Sequence, residues 1–161
     1  MRTARLAFSL LLLALAACSR TPVAQTPEQR FQQDMAAATA EARAHLGYFW
    51  RHESAPEDSE YDFRLKVSLP RRDGQPGDAQ VWVEAVAKEG GAYSGQLAAE
   101  TAELPGVERG ETVDFTEAQI IDWSFVSAER LYGHYTTRVL LPRMPPERAD
   151  AMRSMLAENP D

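Results

Sequence analysis

The chain has 161 residues, 44% of them hydrophobic, which suits one globular domain with a real core and not a disordered segment. Seventeen Lys and Arg stand against 24 Asp and Glu, a formal charge of −7, which argues against a nucleic-acid partner because affinity for phosphate needs clustered cations. The nearest basic patch, Arg71-Arg72, is followed by Asp73 and Asp78 and reads as a solvated turn.

The first residues, MRTARLAFSLLLLALAACSR, have the parts of a secretory signal. Arg2 and Arg5 supply the positive start, and Leu6 to Ala17 an apolar stretch too short to span a bilayer. Leu15-Ala16-Ala17-Cys18 resembles the bacterial lipobox, in which cleavage before Cys leaves it as the new N-terminus. The resemblance implies cleavage between Ala17 and Cys18 and lipid attachment at Cys18. Two or three acyl chains at about 0.8 kcal/mol per buried CH₂ hold a protein almost permanently to a membrane. Ser19 stands where many inner-membrane lipoproteins carry Asp, so by analogy the expectation is the periplasmic face of the outer membrane. Loss of Arg2 and Arg5 takes the charge from −7 to −9. Cys18 is the single cysteine, so the mature domain has neither a disulfide nor a thiol nucleophile. The expected organisation is a signal peptide over 1–17, a lipidated tether over 18–26 and one domain over 27–158.

Thr26-Pro27-Glu28-Gln29 is a helix start, with a capping residue, Pro at the first helical position and Gln completing a capping box. Phe31, Met35, Ala38, Ala42, Leu46 and Phe49 then recur at helical spacing, and the polar run RHESAPEDSE ends the helix. YDFRLKVSL alternates as a half-buried strand, with Tyr61, Phe63, Leu65, Val67 and Leu69 on one face. AQVWVEAVA is a second strand, and KEGG a hairpin turn into AYSGQLAAE. ETVDF, QIIDWSFV and LYGHYTTRVLL supply three more strands, and PPERADAMRSMLAEN a short C-terminal helix. Strands following one another without intervening helices predict an α+β fold. The N-terminal helix packs on a curled, mainly antiparallel sheet of five to six strands.

The succession of Phe49-Trp50, FRLKV, VWVEAV, GQL, GETVDF, Ile121-Asp122-Trp123 and GHYTTRVL resembles the DUF2314 (YegJ-like) family of bacterial domains of unknown function, over roughly 31–141. The resemblance implies a fold but carries no activity.

Catalytic patterns are weak. GAYSG is not Gly-x-Ser-x-Gly and sits in a hairpin, unlike the strand-turn-helix of a nucleophile elbow. His45 and His52 lie two helical turns apart, with His52 expected beyond the helix end, and His134 is remote; no metal or other cofactor is expected. Asp122 and His134 are left, beside Trp123, Tyr135 and Arg138. In two paired strands Asp122 would meet Arg138 or His134 across the ladder, and a cross-strand ion pair is the commoner use of such residues. With Ile121, Trp123 and Phe125 on one strand face, Trp123 is expected in the core and Trp82 half-exposed. The reading is a lipid-anchored envelope module without catalysis of its own, with Trp82, Asp122, His134 and Arg138 as the candidate binding face. Its partners are the membrane, through Cys18, and a periplasmic protein or small molecule. Two alternatives stay open: a small hydrolase using Asp122, His134 and Tyr135, and a protector protein that binds a toxin or inhibitor.

Overall fold

The computed structural model describes residues 24–161; the expected signal segment, the cleavage at Ala17 and Cys18, and most of the tether lie outside the described residues. The first helix starts as its sequence dictates. In α1 (Pro27–Ala44) the Thr26 hydroxyl accepts the Gln29 N–H, the Gln29 side chain accepts the Thr26 N–H, and Pro27 fills the first position, where no donor is needed.

The single helix expected from the periodicity is two. His45 interrupts it, and α2 (Leu46–Ser54) follows with Leu46 and Phe49 buried, as Ala38 and Ala42 are in α1. His45 is held there by its Nδ1, 2.7 Å from the Tyr135 hydroxyl and 3.1 Å from Asp161. His52 lies inside α2 and not past its end, and its Nδ1 bonds Glu60 at 2.7 Å.

Six strands come next in the chain: β1 (Glu60–Pro70), β2 (Asp78–Glu89), β3 (Ala92–Leu97), β4 (Thr112–Phe115), β5 (Ile120–Ser127) and β6 (Arg130–Gly133). They form one open sheet in the order β4-β3-β2-β1-β5-β6, every neighbouring pair antiparallel. The expected α+β architecture is therefore present. Gly90 and Gly91, both at positive φ, make the tight β2–β3 turn that KEGG predicted. Leu65, Val67, Val81, Val83, Trp123 and Phe125 pack on one face of the sheet with Phe49 and Ala42. Trp123 is fully buried, and its indole N–H donates to the Ala42 carbonyl at 2.9 Å. The cross-strand sets Trp82–Lys66–Asp122 and Arg64–Ser124 occupy the other face.

Strict alternation fails at two irregularities in the β1–β5 ladder. Asp62 takes a left-handed φ of 58° where the register shifts between Tyr61 and Arg64, and Tyr61 leaves the core face and is 57% exposed. A second shift between Lys66 and Val67 sets Ile120, not Ile121, in the core beside Trp123. Ile121 instead lines a surface cavity against α1.

The largest departure is the last predicted strand. LYGHYTTRVLL is strand only through Gly133. Gly133 (φ 71°) and His134 (φ 56°) are both left-handed, and the chain then enters α3 (Tyr135–Leu140). A Cβ at Gly133 would lie 2.1 Å from the Trp123 carbonyl oxygen, so only glycine fits this close approach. α3 packs against α1 and β5, and α4 (Pro146–Met155) comes after a 3-10 turn at Leu141–Arg143.

Burial orders the two indoles as the faces require, with Trp82 half-buried and Trp123 fully enclosed. Trp123→Ala is expected to cost about 3–5 kcal/mol and Trp82→Ala less than about half of that. Urea unfolding monitored by circular dichroism measures both; equal losses would contradict the assignment of faces.

Candidate functional site

Asp122 is fully buried on the sheet face away from α2, at the point where the chain turns out of β6. Its carboxylate is the hub of the region. Oδ1 accepts the N–H groups of Trp123 at 2.9 Å and Tyr135 at 3.1 Å. Oδ2 accepts the Thr136 N–H at 2.8 Å and the Thr136 hydroxyl at 2.5 Å. Tyr135 and Thr136 are the first two residues of α3, whose own N-cap, His134, offers no side-chain cap. Asp122 thus caps α3 from a neighbouring strand, and the positive end of the helix faces a negative charge.

Thr136 relays this carboxylate to Lys66. The Lys66 Nζ has one hydrogen-bond partner among the described residues, the Thr136 Oγ1 at 3.5 Å, although the residue is only 9% exposed. Burial pushes the Asp122 carboxyl above the usual range, against the hydrogen bonds from Thr136, Trp123 and Tyr135 that hold it down. Burial likewise lowers the Lys66 ammonium, against the pull of Asp122.

The expected strand pairing of Asp122 with Arg138 or His134 does not occur, because those residues belong to a helix and its cap. Arg138 sits one turn along from His134, its N–H bonding the His134 carbonyl. Its guanidinium goes to two carbonyls, Gly133 at 3.3 Å and Ala157 at 2.9 Å. His134 faces Trp82, ring centroids 5.1 Å apart, and its Nδ1 lies 3.1 Å from the Thr137 hydroxyl. Burial, with the charges of Arg138, Lys66 and Arg64, lowers His134 to about 4. Tyr135 points elsewhere: its hydroxyl meets His45 and Asp161, and burial with the Asp161 carboxylate raises it.

Of the four residues expected to form a binding face, Trp82 and His134 are together, Asp122 is a buried cap on the far side of Lys66 from Trp82, and Arg138 is tied to the C-terminal segment. Sequence reading missed Lys66 and Thr136. Lys66 carries a readable signal, because alternation along FRLKV puts it opposite the apolar face beside Trp82. Thr136 carries none, since its meaning depends on a helix cap 14 residues away in the chain. Among the described residues no group of His, Cys, Asp or Glu converges as a metal site.

A family model described as "Uncharacterized protein conserved in bacteria (DUF2314)" matches residues 32–156. The chain belongs to the DUF2314 family. A putative ankyrin repeat protein of Neisseria meningitidis serogroup B is 33% identical over 116 residues, 68% of this chain and 46% of that protein. The uncharacterized protein YegJ of Escherichia coli K12 is 29% identical over 75 residues, 47% of this chain and 49% of YegJ. The matched segments thus span about half the length of these curated relatives. No solved structure gives a significant match. The DUF2314 match ends one residue past α4 and so takes in the whole sheet, Asp122 and α3.

The geometry makes Asp122 and His134 testable. Asp122→Ala should cost about 3–5 kcal/mol, since it uncaps α3 and leaves Lys66 buried without its counter-charge. Asp122→Asn keeps an acceptor and should cost less, a difference that denaturant unfolding at pH 7 resolves. For His134 the readout is pH. A histidine lowered in the fold stabilises the native state above its unfolded value of 6.5, and that contribution is lost as pH falls toward about 4. Stability should therefore drop by up to about 3 kcal/mol across this window, beyond what the carboxylates contribute. His134→Gln should remove that share; an unchanged pH profile in the variant contradicts it.

Proposed function

We propose that this protein is a lipid-anchored binding module of the bacterial cell envelope, held through Cys18 at the periplasmic face of the outer membrane and without catalysis of its own. One observation supports the binding reading over the hydrolase: the side chains of Asp122, His134 and Tyr135 point to three different sets of partners. Asp122 is saturated by four hydrogen bonds inside the fold, His134 lies against Trp82, and the Tyr135 hydroxyl faces His45. A general base needs a free lone pair within reach of the proton it removes, and Asp122 has both oxygens turned into the α3 N-terminus. A half-exposed Trp82 beside a neutral His134 is a surface suited to recognition. Support for the anchor is the lipobox around Cys18, preceded by two arginines and an apolar run.

The anchor is tested by labelling cells with an alkynyl palmitate analogue. The wild-type protein should carry label and sediment with membranes, and Cys18→Ser should do neither. An unlabelled, soluble wild-type protein overturns the anchor. Incubation with ester, phosphate, peptide and glycoside substrates tests the rest. Turnover lost in both Asp122→Asn and His134→Gln, with stability retained, would restore the hydrolase.

A further inference from the structure

A cavity of about 350 Å³ opens between α1 and the sheet, lined by residues that include Met35, Thr39, Arg43, Gln80, Ile121 and Thr136. Not one of its lining residues is acidic. Four other surface cavities of about 290 to 510 Å³ each carry at least one carboxylate: Asp114, Glu100 with Glu108, Asp34, and Asp34 with Glu41.

The cavity also holds a cation that makes no ion pair among the described residues. Arg43 donates from Nε to the Ile120 carbonyl at 2.7 Å and from Nη2 to the Ala118 carbonyl at 2.5 Å. Those two bonds fix the guanidinium plane, and its remaining donors have no partner among the described residues. The arginine ion pairs of the described residues are made by Arg64, Arg71, Arg143 and Arg153, and Arg43 is not among them. A second cation stands one residue deeper, with its counter-charge. Lys66 does not line the cavity, but its one hydrogen-bond partner among the described residues, Thr136, does, and the same hydroxyl donates to Asp122. Thr39, Gln32 and Gln80 add neutral polar groups, while Met35 and Ile121 supply apolar surface.

Fixed donors, a lining without carboxylates and some apolar surface suit one ligand class, the Asp122 carboxylate standing behind Thr136 where Lys66 offsets it. We propose that this cavity binds a small-molecule oxyanion, a carboxylate or a phosphate on a compact apolar body, with Arg43 as the direct contact. The volume lies at the small end of ligand pockets and suits a metabolite-sized anion. The proposal deepens the binding-module reading and rests on it.

The test is a nitrogen-15 NMR titration of the full chain in nonionic detergent, with butyrate, inorganic phosphate and the neutral butanol as probes. Butyrate, phosphate or both should produce saturable shifts at the amides of Thr39, Arg43, Ile121 and Thr136, and butanol should not. The anion that saturates identifies the headgroup chemistry. Arg43→Gln should weaken binding about tenfold or more. Because Arg43 also holds β5 carbonyls, Gln80→Glu serves as the second variant. Gln80 is exposed, and the change adds a carboxylate of nearly the same shape, so the fold should be kept while binding falls by a similar factor. Absent or unsaturable shifts with both anions, equal shifts with butanol, or binding indifferent to Gln80→Glu each overturn the proposal. None of these outcomes bears on the substrate screen or the palmitate labelling, so failure here is separable from failure of the binding-module reading.

Discussion

The Asp122 carboxylate is the interaction on which the second half of the chain depends. It lies on β5, yet the groups it satisfies belong to α3. For this to happen the chain must leave β6 and reverse within two residues. Gly133 and His134 do so in left-handed conformations, one of them beside the Trp123 carbonyl where no Cβ fits. A left-handed histidine is strained, and the cap offsets that strain by satisfying two backbone donors at once. The residues beyond the turn build on this anchor. Tyr135 lands edge-on against Trp123 and reaches His45 at the α1–α2 junction, while Arg138 ties the turn to Ala157. The C-terminal segment closes the same region, with the Gly133 N–H on the Pro160 carbonyl and Leu131 bridged to Leu156.

How far the sequence could be read depends on the range of each interaction. The start of α1 was legible because a capping box is written within four residues. The β2–β3 turn was legible because two glycines are what a tight turn needs, and the α+β class because strand patterns succeed one another directly. The α1–α2 break at His45 was not, since what holds it is a hydroxyl 90 residues away. Nor were the bulges near Asp62 and Ile121, where one extra residue reverses the face of everything beyond it. Tyr135-Thr136-Thr137 consists of residues with good strand propensity, so period and composition both favoured a strand there. A distant cap outweighed that preference, which is tertiary context overriding propensity. The candidate site was half legible for the same reason: Trp82, Asp122, His134 and Arg138 were visible as residue types, but their roles depend on a helix that local pattern hides.

The Lys66–Thr136–Asp122 relay raises a question of energetics. A buried charged pair is weak evidence for stability, because desolvation of both ions offsets most of their attraction, and an apolar pair of similar volume often serves as well. Here the acceptor half has a clear structural use, since an oxygen at position 122 is needed to cap α3. Asparagine would not serve equally, because both oxygens of Asp122 accept and an amide has one acceptor oxygen. The cap therefore needs a carboxylate, and Lys66 stands as its counter-charge across Thr136. Its ammonium is enclosed, its hydrogen bonding is thin, and the residue it touches forms part of the wall of an acid-free cavity. The capping carboxylate and the buried lysine thus form one device: Asp122 sets α3 against α1, which shapes the cavity, Lys66 offsets the Asp122 charge behind Thr136, and the cation that faces the cavity is Arg43.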